Sequence, residues 1–220
     1  MIERHLHGLW TENPGREEPG DTRDRLKDRF PRGAVRRMTQ LGMLLGSVFS
    51  EIDFRETDAV VYASSYAEAR TLEEYLASFP APSPTLFQTS IHPSAVQQAL
   101  IARHQPVHHF FPLTGGLQLV AHAVQAALLA PNPRVVLCGG EERGTWSCEH
   151  GIASAESFAF AALLLPEPAG ALASLSLAEA GAGEGALGLA DFFAALCCRR
   201  AIDQAVAPGL SFTLQWHPTP

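Results

Sequence analysis

Four groupings of residues have types and spacing that could carry chemistry. The first is Phe111-Pro112-Leu113-Thr114-Gly115-Gly116-Leu117-Gln118, where two glycines follow an apolar segment and open an apolar helix. This is the shape of a nucleophile elbow: the glycines permit a sharp turn, and the helix dipole lowers the pKa of a thiol held there. No cysteine or serine occupies the turn, and Thr114 has its only hydroxyl, so a tight structural turn is the plainer reading. The second grouping is Cys148-Glu149-His150, a thiol near an imidazole with no third group in view to orient the base. The third is His104, His108, His109 and His122. Adjacent His108 and His109 in a strand point to opposite faces, and the other two fall on different helices, so no metal site is expected. The fourth is Gly183-Glu184-Gly185-Ala186-Leu187-Gly188, which matches GxGxxG between a strand and a helix. It lies late in the chain, Glu184 would place a negative charge beside a phosphate, and Asp203 falls inside the next expected helix. A flexible linker is the better reading, and no cofactor is expected.

Elements that could position these groups alternate between strand and helix. Residues 1–30 are polar and rich in Pro, Gly and charge, and read as an N-terminal extension, either an edge strand or a mobile wrap. Apolar residues from Val35 to Phe49 recur at helical spacing. Residues 58–63 read as a buried strand, and Tyr66 to Phe79 as a helix with Leu72, Tyr75 and Leu76 on one face. Pro80, Pro82 and Pro84 are expected to stop that helix and force an extended segment. A helix then follows Pro93, a strand covers 107–111, a helix 117–129 and a buried strand 133–138. Residues 157–165 and 171–177 are expected to pair as an antiparallel hairpin around Pro166–Gly170. A last helix over 189–205 leads into a strand over 210–216. The alternation predicts a layered α/β domain with helices around a mixed, mostly buried sheet. The remaining residues, 31–220, form its single domain.

Composition narrows the function. Of the 220 residues, 46% are hydrophobic and 18% charged, enough for a core, and the net charge of −7 disfavours a nucleic-acid partner. A basic stretch from Arg23 to Arg37 stands out against that charge and reads as a solvated helix start or a docking patch for an acidic partner. No run is long and apolar enough for a membrane span, and the charged start is unlike a secretory signal. The 4 cysteines, with Cys197 and Cys198 adjacent and no CxxC, fit reduced thiols in a cytoplasm.

Three segments, in order, carry a resemblance to a family. They are Pro31-Arg32-Gly33-Ala34-Val35-Arg36-Arg37-Met38-Thr39, Ser83 to His92, and Thr114 to Gln118 with Val135 to Glu142. Together they resemble the N-terminal domain of the β-ketoacyl synthases, in the thiolase-like superfamily, and above all its short ketosynthase-like members. The tail from Asp191 to Trp216 is also similar. The resemblance implies half of a thiolase-like fold whose elbow pocket is formed by Leu113, Thr114, Gly115 and Gly116. Active synthases carry an acylated cysteine there; alignment on Gly116-Leu117-Gln118 places Leu113 at that position, with Thr114 beside it. The family's two catalytic histidines belong to a C-terminal half with no counterpart in these residues. Condensation needs both groups.

What the resemblance implies is therefore a non-catalytic accessory protein, similar to a chain length factor, in carrier-protein-dependent polyketide, aryl-polyene or fatty-acid-like synthesis. Its partner would be a full-length ketosynthase or a second copy, with an acyl carrier protein as a further partner. Interface candidates are Ser90, Ile91, His92 and Gln97. The alternatives are a small acyltransferase or thioesterase-like enzyme using Thr114, Cys148 or His150, and an acyl-binding remnant.

Overall fold

The computed structural model describes residues 2–181 and 185–218. In chain order the strands are β1 (Ile2–Gly15), β2 (Ala59–Ser64), β3 (His109–Thr114), β4 (Val135–Glu141), β5 (Ser157–Leu165), β6 (Ala173–Glu179), β7 (Ile202–Ala207) and β8 (Leu210–Trp216). Side by side they form one mixed sheet, β3-β2-β4-β5-β1-β6-β8-β7. β2 is parallel to β3 and β4, and every other pair is antiparallel. The helices are α1 (Pro19–Leu26), α2 (Arg32–Val35), α3 (Gln40–Phe49), α4 (Ala69–Ala77), α5 (Pro84–Thr89), α6 (Ser94–Ala102), α7 (Leu119–Leu129), α8 (Trp146–Glu149) and α9 (Leu189–Cys197).

Alternation along the strands divides the core in two. Ala59, Val61 and Ala63 of β2 face α7 and α9 together with Leu137, Phe158 and Phe160. Val60 and Tyr62 face α3 and α6 together with Cys138, Ala159 and Ala161. In β1, Leu6 and Leu9 share a face although three residues apart, because the pairing with β5 shifts register between Leu6 and Gly8. All of α3 is buried, and its start is set by Thr39, whose side chain accepts from the Gly42 amide.

Several sequence expectations are corrected. Residues 2–15 are neither an edge strand nor mobile; β1 lies between β5 and β6. Their polarity misled because the polar side chains have partners inside the fold. Buried Arg4 donates to the carbonyls of Ala130 (2.5 Å) and Asn132 (2.9 Å) just past α7, filling the role of a helix C-cap. β5 and β6 accordingly do not form a hairpin, since β1 inserts between them. The last helix ends at Cys197, Arg199 turns into the left-handed region (φ 49°), and residues 202–207 become edge strand β7. Pro84, expected in an extended segment, instead starts α5, where a missing amide costs nothing. Of the GxGxxG run, Gly183 and Glu184 lie outside the described residues, and Gly185 to Gly188 lead into α9. No helix among the described residues is long and apolar enough to cross a membrane.

Candidate functional site at the ends of the parallel strands

Parallel β2, β3 and β4 end side by side, the place where open α/β sheets gather their ligands. Ser64 pairs in register with Thr114, and Ala63 with Leu113 and Gly139. The close approach depends on Gly139, where a Cβ would sit 2.5 Å from the Ala63 carbonyl oxygen. Beyond the strand ends lies an open depression of about 300 Å3 lined by Ser65, Tyr66, Gly115, Gly116, Leu117 and Glu141, and bordered by Gly188 to Ala190 at the start of α9.

Glu141 is its main ionisable group. The buried carboxylate accepts from the Ser64 hydroxyl (3.0 Å) and the amides of Ser65 (2.5 Å) and Tyr66 (3.2 Å), tying the turn after β2 to the end of β4. Burial pushes its pKa up to about 7, against the lowering effect of those hydrogen bonds. Burial does the same to Glu142, which accepts from the Leu41 amide (3.0 Å) near the start of α3. Glu73 goes the other way. Burial opposes ionisation, but bonds from the amides and hydroxyls of Ser147 and Thr145 hold it below the ordinary carboxylate range. It anchors the segment before α8. Glu68, fully buried, accepts from the Ala95 amide at 2.9 Å, and its other oxygen lies 3.7 Å from His92 Nδ1. His92 stacks on Tyr62 with ring centroids 5.2 Å apart.

Gly115 and Gly116 line the depression, whereas Leu113 packs half-buried against the α7 layer. Thr114 is exposed at the edge of the sheet and, among the described residues, its hydroxyl meets no base. His150 is exposed with its ring against Trp146 (6.3 Å), and no hydrogen bond joins it to Cys148. The four histidines considered for a metal are all exposed, and no metal-binding group exists among the described residues. Of the interface candidates, Ile91 and Gln97 face solvent, Ser90 is half-buried at the end of α5, and His92 turns inward onto Tyr62. The site can therefore hold a ligand against a protonatable carboxyl, but no nucleophile–base pair is assembled in it.

Sequence reasoning missed the buried carboxylates. The one available signal was the acidic pair Glu141-Glu142 directly after an apolar strand, a place where charge is costly unless partnered. It also missed α4. This helix buries Ala69, Thr71 and Glu73 and turns Leu72 and Leu76 outward, 45% and 47% exposed. Tyr75 packs on Phe79 and Phe87 (5.5 Å each), and both phenylalanines are about half exposed. The leucine stripe is present as expected, but it faces away from the core.

No family model and no curated protein matches this chain. Solved structures do. A chain of the complex between a ketosynthase and its chain length factor from Xenorhabdus doucetiae is similar over 98% of this chain and 100% of that one, with 18% identity and a TM-score of 0.68. The ishigamide ketosynthase/chain length factor is similar over 81% and 68%, with 11% identity and a TM-score of 0.60. A type II acyl-carrier protein in complex with its ketosynthase, bound to a hexaketide, contains a chain similar over 82% and 70%, with 10% identity and a TM-score of 0.52. These likenesses show the fold, which is the thiolase-like α/β fold of ketosynthases and chain length factors.

Proposed function

We propose that this chain is a non-catalytic accessory subunit, like a chain length factor, that binds a full-length ketosynthase in carrier-protein-dependent polyketide or related synthesis. The observation that carries this reading is the inverted α4. A helix packed on a core buries its apolar side; one that buries Thr71 and Glu73 and exposes Leu72 and Leu76 has an apolar side reserved for something else. The sheet edge at β3 is open as well. Edge strand β3 exposes Phe111 and carries Pro112, which has no amide to donate and is tolerated only at such an edge. Leu117, 74% exposed, lies just beyond its end.

The non-catalytic part rests on Leu113. A saturated side chain at the elbow position cannot accept an acyl group, and Thr114 has no base to activate it. The ketosynthase would supply the chemistry, and this chain would shape the space beside it. Ile91 and Gln97 would belong to the shared surface. An aryl-polyene pathway, a cytoplasmic location and delivery by an acyl carrier protein are parts of the same proposal.

Co-purification with a candidate ketosynthase tests it. The expected result is a stable complex whose product length changes when this chain is removed. A chain that stays separate from the ketosynthase, with product length unaffected by its deletion, contradicts the proposal. A complex only with a second copy of itself would replace the ketosynthase by a homodimer.

A further inference from the structure

The basic stretch from Arg23 to Arg37 is only partly neutralised inside the fold. Arg25 pairs with Glu12 and Glu17, Lys27 with Asp24, and Arg29 lies 4.0 Å from Glu51. Arg23, Arg36 and Arg37 have neither an ion pair nor a side-chain hydrogen bond among the described residues. All three are exposed and line one cleft between α1, the segment after α2, α4 and α5. Arg70 enters the same cleft from α4, 3.5 Å from Glu18 and 3.8 Å from Glu74. The hydroxyl-bearing residues Thr39, Thr71, Thr85 and Thr89 also line it.

Four guanidinium groups around one cleft repel one another unless an anion lies between them. In a chain of net charge −7 there are acidic residues enough to neutralise them, yet three remain unpaired. The cleft holds about 140 Å3. That is well below the roughly 300–1,000 Å3 of sites that enclose drug-sized ligands, and it suits a single tetrahedral oxyanion. The planar fork of arginine matches phosphate oxygens two at a time, and threonine hydroxyls complete such a set. Two carboxylates also border the cleft. Glu74 is already beside Arg70, and Glu142, buried with its pKa pushed up to about 7, carries a reduced negative charge near neutrality.

We infer that this cleft binds a phosphoryl group, gripped by Arg23, Arg36 and Arg37 with Arg70 at its flank. Free phosphate and the phosphate of a larger organic arm share the chemistry that this cleft recognises. The inference stands on the cleft alone and does not require the accessory-subunit reading.

Titration calorimetry with inorganic phosphate and, separately, with coenzyme A tests it at constant ionic strength, with chloride as the control anion. Binding of both ligands, weakened about tenfold or more in Arg36→Gln/Arg37→Gln, is the expected result, since each lost arginine removes a charge-assisted hydrogen bond. Binding of coenzyme A alone, lost in the same variant, also supports the site and identifies the organic arm as the source. Arg23→Gln, on a different element, should show the same loss, so a folding defect in one variant does not decide the matter. No heat with either ligand at millimolar concentration, or binding that all these variants retain, overturns the inference.

Discussion

Helices α4 and α9 lie toward opposite ends of the same sheet and treat their apolar residues in opposite ways. α9 buries Leu189, Phe192, Phe193 and Leu196 and leaves Asp191 in water. Its phenylalanines join Phe158, Phe160 and Phe212 in a packed aromatic cluster, with Phe158 and Phe193 stacked at 4.4 Å. The nearby edge strand β7 exposes Asp203 and Gln204, polar side chains of the kind that keep an edge from recruiting another strand. At the other end, α4 buries its polar residues against the loop before α8 and shows its leucines to solvent. One end is finished by the chain itself. The other leaves apolar side chains in water.

The comparison can be broken first at the finished end. Phe192→Ala removes a buried ring from the aromatic cluster and should cost about 3–5 kcal/mol, read as a lower denaturant midpoint at constant m-value. A loss below about 1 kcal/mol would show that the cluster is not a true core. At the open end the ranking reverses. Leu72→Lys/Leu76→Lys should change stability by no more than about 0.5 kcal/mol, as expected of surface sites. The same double substitution should weaken ketosynthase binding about thirtyfold or more, measured by surface plasmon resonance. Stability that falls with binding intact would mean that the leucines serve the fold.

The pH response should also divide between the two ends. Glu142, with its folded pKa raised from 4.5 to about 7, holds its proton more tightly folded than unfolded. Its stabilisation is therefore complete below about pH 4.5 and is lost as pH rises through 7. Between pH 5 and 7 stability should decline by up to about 1.4 kcal/mol per pH unit for this one proton, with Glu141 adding a similar effect. Glu142→Gln keeps a neutral acceptor for the Leu41 amide and should flatten the decline, measured by urea unfolding at several pH values. An unchanged slope would remove Glu142 from the account. The smallest effect is expected from Ile101→Ser, on the exposed side of α6 at 72% exposure, which should shift stability by less than about 0.5 kcal/mol.

Periodicity made the parallel part of the fold legible. Residues 58–63 and 133–138 are built on the short apolar runs 59–63 and 135–138, and both became central strands facing helices on two sides. The turn Gly115-Gly116 was legible for the same reason, as glycines between a strand and an apolar helix. What stayed hidden depended on partners far along the chain. Arg4 looks like a surface residue until carbonyls from residues 130 and 132 surround it. The alternation of β5 and β6 cannot reveal that a strand from the N-terminus separates them. The stripe Leu72, Tyr75, Leu76 was legible as one face of a helix, but not which way that face turns; the direction of α4 is set by Glu73, which Thr145 and Ser147 hold inside. At the site, Gly115 and Gly116 were legible and line the depression, while Glu68 and Glu73 were not, since a lone glutamate in sequence gives no sign of burial; the pair Glu141-Glu142 after an apolar strand was a sign that went unread.

The most direct measurement is intact-protein mass spectrometry after mixing this chain with acyl- and malonyl-carrier protein, alone and with a candidate ketosynthase. The account predicts no acyl adduct on this chain in either mixture, and an adduct on the ketosynthase when it is present. A covalent acyl adduct on this chain alone would contradict it and make the protein an enzyme.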